Sequence, residues 1–310
     1  MKRLFLLISI TTAALFSSYD LKAEAPERQG WKEVFPLYGD VESVVMTHYK
    51  LEDKFGEIVR GDILYCRKYY FNDAGDVIED AWYKSDGSLG SKSIYKYNFS
   101  GNMVEEASYD SDGSLSRKYI YKYDSSGNRI VYASYNSDGS LSYKWIYKYD
   151  SSGNKIESAL YKSDGSLSCK FIYKYDSSGN MIEEAYYDSA GSLFYKYIYK
   201  YDSSGNKIES ASYNSYGPLF CKYIYKYDSS RNMIESASYR LDGSLSGKSI
   251  YKYDSSGNMI EKASYNSDGS LFYKYIYKYD SQGNMIEETK YRSEALIPES
   301  LIVYEITFRN

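Results

Sequence analysis

The stretch YKYDSSGN occupies Tyr121–Asn128 and returns unchanged at Tyr147, Tyr173, Tyr199 and Tyr251. Near copies stand at Tyr95 (YKYNFSGN), Tyr225 (YKYDSSRN) and Tyr277 (YKYDSQGN), and each start lies 26 residues after the last. Between the copies runs a second signal, SDGS, at Ser85, Ser111, Ser137, Ser163 and Ser267, with variants at Ser189, Ser215 and Leu241. Both signals are turn chemistry. Gly supplies the positive φ of hairpin loops, and Asp, Asn and Ser bond their own backbone. Two turns and two runs rich in Tyr, Ile and Lys make each unit a β-hairpin. A helix is excluded, because Leu271, Tyr273, Tyr275, Tyr277 and Tyr279 step by two and Gly interrupts twice per unit.

If both loops hold three residues, their flanks lie four apart, and the even period then keeps odd residues on one face throughout. That face would carry Leu141, Tyr143, Trp145, Tyr147 and Tyr149, then Ala159 and Tyr161. The even face would carry Lys144, Ile146 and Lys148, then Ile156 and Ser158. Turn spacing alternates between 12 (Gly127 to Gly139) and 14 (Gly139 to Gly153), which staggers successive hairpins by two residues. The strand tilt is then roughly 35°. The expectation is all-β: a repeat array of antiparallel hairpins in a curved or spiral open sheet of about 18 strands, two per unit. Four segments follow: a signal peptide at 1–23, an N-terminal cap at 24–68, hairpin repeats at 69–292 and a C-terminal cap strand at 293–310. Caps of this kind cover the edges that an open sheet leaves.

Composition narrows the function classes. The chain has 310 residues, a formal charge of -4 and 42 Tyr against 11 Phe and 3 Trp. Mild acidity argues against a nucleic-acid partner. Tyr builds strands while keeping a polar tip. Lys2 and Arg3 precede an apolar run from Leu4 to Phe16, with Ala23 and Ala25 at a cleavage region. Pro26 disfavours a cut after Ala25, so Ala23 is preferred, and no membrane span remains after it. The expected location is secreted, periplasmic or cell-surface. Cys66, Cys169 and Cys221 form no disulfide framework; the last two hold equivalent positions about 19 Å apart, too far to bridge.

The chemistry of a single catalytic centre is missing. His48 is the one histidine and the bland reading makes it a solvated strand residue. No zinc spacing, phosphate loop or nucleophile elbow occurs. Asp124, Asp138, Asp150 and Asp164 recur at turns, where local bonds explain them better than calcium or glycosidase chemistry. No catalytic residue, metal or cofactor is assigned. An outer-membrane barrel needs one continuously apolar face; on the parity argument Glu157 and Glu183 stand on one face and lysine ladders on the other.

The pattern Tyr121, Tyr123, Asp124, Gly127 and Asn128, followed by Asp-Gly and another Tyr-rich strand, resembles the tyrosine–aspartate repeats of Rhs proteins, teneurins and insecticidal toxin complexes. The resemblance covers Tyr69 to Tyr291. It implies a spiral β-shell, although these units are longer and no effector domain is recognisable. The hairpins also look like choline-binding cell-wall repeats, but those lean on Trp, and only Trp82 and Trp145 occur within the units.

Near-identical units suit a structural array or a many-valent surface better than one active site. The leading reading is therefore an exported, non-enzymatic repeat protein that meets a protein or glycan partner at the cell surface. The alternative is a carbohydrate-binding module using tyrosine rows. The candidate binding residues are Tyr121, Tyr123, Tyr147, Tyr149, Tyr173, Tyr175, Tyr199 and Tyr201. Solvent-facing rings would favour the glycan reading, and packed rings a scaffold. A secreted enzyme with a site built from the caps is the third reading.

Overall fold

The computed structural model describes residues 37–309, apart from 56, 216, 218 and 293–296. The expected signal peptide and the cap as far as residue 36 lie outside the described residues. The rest is all-β: 20 antiparallel strands in chain order. β1 (Val41–Lys54) and β2 (Glu57–Phe71) form a long hairpin. Short and long strands then alternate, from β3 (Val77–Lys84) and β4 (Leu89–Tyr97) through β5 (Met103–Asp110), β6 (Leu115–Tyr123), β7 (Arg129–Asn136), β8 (Leu141–Tyr149) and β9 (Lys155–Lys162) to β19 (Met285–Arg292). The last strand is β20 (Ile297–Phe308).

Each strand pairs with the next, and β20 pairs with β1. The sheet therefore closes into a barrel, which corrects the expected open or spiral sheet of 18 strands. The terminal segments do not cover edges; they abolish them. In the seam His48 opposes Ile302, Met46 opposes Tyr304 and Val44 opposes Ile306. An apolar cluster of Leu37, Val41, Val44, Tyr69, Phe71, Val77 and Tyr304 packs there, with Val41 and Val44 fully buried. Arg309, just after β20, pairs with Asp40, just before β1, at 2.8 Å.

The loops are as expected. Asp124 and Asn128 flank a three-residue loop, with Gly127 at φ 83 and a bond from Asp124 N to Asn128 O of 2.9 Å. One residue further on, however, each strand carries a β-bulge. Tyr123 opposes Arg129, but Lys122 opposes Val131, so Ile130 is an inserted residue. Tyr109 opposes Leu115 and Ser108 opposes Arg117, which makes Ser116 another. Each bulge exchanges the two faces. The expectation of one odd-numbered face is therefore corrected. One face carries odd residues of the long strands with even residues of the short ones. Tyr121 opposes Tyr132 and Tyr147 opposes Ser158, while Ile146 opposes Ala159 on the other face. Two bulges per unit restore the pattern, so Tyr121 and Tyr147 do share a face.

The stagger survives. Tyr119 opposes Glu106 on one side and Ser134 on the other, 28 residues apart against a period of 26. Shear thus grows by two for every two strands, keeping a tilt of roughly 35°. A circular section would have a backbone diameter of roughly 35 Å.

In the seventh unit Arg231 takes the turn position of Gly127, at φ 66. A side chain there costs about 1 kcal/mol. Arg231→Gly should raise the unfolding free energy by about that amount, measured by denaturant titration.

Candidate functional site

The tyrosine-bearing face is the lumen. Side chains on the concave side of a closed sheet converge, and its groups carry the marks of burial. Burial pushes the hydroxyls of Tyr69, Tyr173 and Tyr225 up to about 12, and raises the carboxyls of Glu106 and Glu288. The opposite face carries lysines whose side chains are about 60% exposed.

The eight candidate tyrosines sit in two lumenal rows. Tyr123, Tyr149, Tyr175 and Tyr201 end their strands, and each hydroxyl donates to a carbonyl 20 residues back: Met103, Arg129, Lys155 and Met181, at 2.7–2.8 Å. Tyr97, Tyr227, Tyr253 and Tyr279 do the same with Val77, Lys207, Met233 and Met259. Each accepting carbonyl belongs to the residue just before a bulge, where the strand ladder is interrupted. The phenol gives that carbonyl a side-chain donor. Tyr121, Tyr147, Tyr173 and Tyr199 form the second row. Tyr121 donates to Glu106 at 2.9 Å, Tyr199 to Glu184 at 3.0 Å, and Tyr173 meets Ser158 at 2.8 Å. Tyr147 lies beneath the Arg129 guanidinium, 5.1 Å from its ring centre. Of the eight, Tyr173 is buried and the others are half-buried.

Asp124 closes the same motif. Its carboxylate accepts the amides of Ser126 and Asn128 at 2.9 Å and the Asn128 side chain at 3.1 Å. Asp112 holds Ser114 in the other turn. Hydrogen bonds, led by the side chain of Asn128, hold the Asp124 carboxyl below its usual range. His48 is lumenal, edge-on to Tyr65 at 4.8 Å, and its ring nitrogens are buried without hydrogen bonds among the described residues. That corrects the solvated reading. Burial, and then Lys290, lower its pKa. Among the described residues no three His, Cys, Asp or Glu side chains form a metal-holding group, and all three cysteines are free.

The outer face is nearly the same in every unit. Lys148 bridges Glu157 at 2.7 Å, Ile146 opposes Ala159, and the Lys144 ammonium lies 5.7 Å from the Tyr161 ring centre. Seven units repeat the first pair at 2.6–2.9 Å. Two of the nine units lack it: Val131 replaces the Glu in one, and in the first Tyr70 opposes Glu79 in place of the Lys.

The lumenal face is diverse. The position of Tyr119 holds Ser93, Trp145, Phe171 or Ser249 elsewhere, and that of Ser158 holds Asp80, Glu106, Tyr132, Glu184 or Lys262. Aromatic members touch in a chain: Trp145 to Phe171 at 6.0 Å, Phe171 to Tyr186 at 4.9 Å, Tyr186 to Tyr195 at 4.9 Å. These variable lumenal residues went unnoticed in the sequence. Comparing units position by position reveals them, but assigning them to one face requires the bulges.

Tyr149→Phe should remove the bond to the Arg129 carbonyl and cost about 1 kcal/mol in chemical denaturation. Folding lowers the turn aspartate pKa values, so the stability they contribute is present above the unfolded value of about 4. It is lost as pH falls through the folded values. Melting temperature should therefore drop on acidification below about pH 4, and less steeply in Asp124→Asn.

Three segments, residues 109–159, 135–186 and 239–291, match the family described as "Protein of unknown function (DUF2963)". No curated protein matches the chain in sequence. Among solved structures it is similar to a TcdB2–TccC3 complex without the hypervariable C-terminal region, at 13% identity and TM-score 0.32. That match covers 77% of this chain but 16% of the other. A porin-like protein from Bacteroides uniformis matches at 8% identity and TM-score 0.38, covering 86% of this chain and 98% of that one. A protein of unknown function from Bacteroides fragilis matches at 17% identity and TM-score 0.20, over 46% of this chain and 86% of its own.

Proposed function

We propose that this is an exported, non-enzymatic repeat protein of the tyrosine–aspartate type, whose closed wall presents one many-valent face to a partner at the cell surface. The observation that supports the reading is the uniformity of the outer face. Both faces descend from the same repeated units, so the age of the repeats cannot explain why only the lumen has diversified. Folding alone is a weak reason as well. Exposed Lys–Glu pairs contribute only about 0–1 kcal/mol each, yet they persist in nearly every unit. A partner that meets many units at once gives each copy a use. Lipid is a poor candidate, since ion pairs stud the outer wall and charged groups line the inner one. The glycan reading moves from the eight bonded tyrosines to the lumenal chain running from Trp145 to Tyr195.

Removing residues 147–172 joins Ile146 to Tyr173, a junction of the kind the chain already has at Ile172. Two strands and two residues of shear leave together, so the tilt is unchanged and an 18-strand barrel should close. Variants lacking one, two and three units should lose affinity for cells or cell-envelope fractions in steps. All-or-none loss in a variant with intact β-sheet circular dichroism would overturn the distributed surface.

A further inference from the structure

One lumenal position separates three units from the rest. It is the residue before the bulge at the start of each short strand, whose carbonyl receives a tyrosine hydroxyl in eight of the nine units. Met103, Met181, Met233, Met259 and Met285 hold it in five units and Val77 in another. Arg129, Lys155 and Lys207 hold it in the remaining three, on β7, β9 and β13 (Lys207–Asn214).

All three cations lie against tyrosine rings. Arg129 is 5.8 Å from the centre of Tyr121 and 5.1 Å from that of Tyr147. Lys155 lies 5.8 Å from Tyr147 and 4.8 Å from Tyr173, and Lys207 lies 4.9 Å from Tyr199. Among the described residues, none of the three makes an ion pair, whereas the outer lysines Lys148, Lys174 and Lys200 all do. Glu184 acts on both lysines through its field, but its carboxylate is bonded by Tyr199. Burial disfavours the charged form of Lys155 and Lys207. Cation–π contact offsets only part of that penalty.

We propose that this arc of the lumen is a binding site for a linear polyanion carrying phosphate- or sulfate-type groups, with Arg129, Lys155 and Lys207 as its anion-contacting residues. The spacing favours a chain over a single ion. Two strand widths separate β7 from β9, about 10 Å, and four separate β9 from β13, about 19 Å. One small anion cannot reach all three, whereas a polymer laid around the wall can.

The test is a titration of the whole protein with inorganic polyphosphate, dextran sulfate, uncharged dextran and free sulfate. The two polyanions should bind, more weakly as salt rises, while dextran and free sulfate should not. The tighter of the two polyanions names the preferred group. The triple variant R129M/K155M/K207M installs the residue that five units already carry, so it should fold and melt no lower than the parent. Its polyanion affinity should fall at least tenfold. Lys148→Gln, Lys174→Gln and Lys200→Gln together alter only the outer wall and should change affinity by less than twofold. Should the Met variant misfold, acylation footprinting of the parent decides instead, with polyphosphate shielding Lys155 and Lys207 but not Lys148. Failure of the parent to bind either polyanion, undiminished binding by the Met variant, or loss confined to the outer-wall variant overturns the proposal.

Discussion

The barrel depends on a bond between a phenol and an interrupted backbone. Every turn of the repeated units is followed by a bulge, where the ladder is locally disrupted. The carbonyl of the residue before the bulge at the start of a short strand takes a side-chain donor. The second Tyr of each Tyr-Lys-Tyr-Asp motif reaches back 20 residues and fills the role, eight times over. The Asp beside it closes the next turn with its own carboxylate. Adjacent residues of one short motif thus secure both the turn and the bulge, which is why the motif tolerates so little change.

Much of this was legible in the sequence, and the reason is local. Gly127 and Gly139 mark turns because the left-handed backbone requires them, and alternation from Leu271 to Tyr279 marks strands. The two-residue stagger follows from turn spacing and was retained. Two features were not legible. A bulge leaves no compositional trace at Ile130 or Ser116, residues that serve equally well in regular strands, so the faces of the short strands were exchanged in the reading. Closure depends on a pairing between Val44 and Ile306, at opposite ends of the chain. No local pattern encodes it. The candidate tyrosines were found for their repetition, but repetition marked the frame; the features that differ between units are at Arg129, Lys155 and Glu184.

The wall thus divides its labour by face. Outside, Lys, Ile, Glu and Ala recur with little change, as in the pairs Lys148–Glu157 and Ile146–Ala159. Inside, Ser, Tyr, Trp, Glu and Lys exchange freely around the circumference.

That division has a hereditary consequence. Units alike in turns, clasps and outer face are interchangeable parts, and the genes for such units are prone to unequal recombination. Exchange at matching points removes, adds or reorders whole hairpins without shifting the reading frame or upsetting closure. What changes is the sequence of side chains around the inner wall. The repeat is therefore a cassette: lineages can shuffle the chemistry of the lumen while inheriting the frame that displays it.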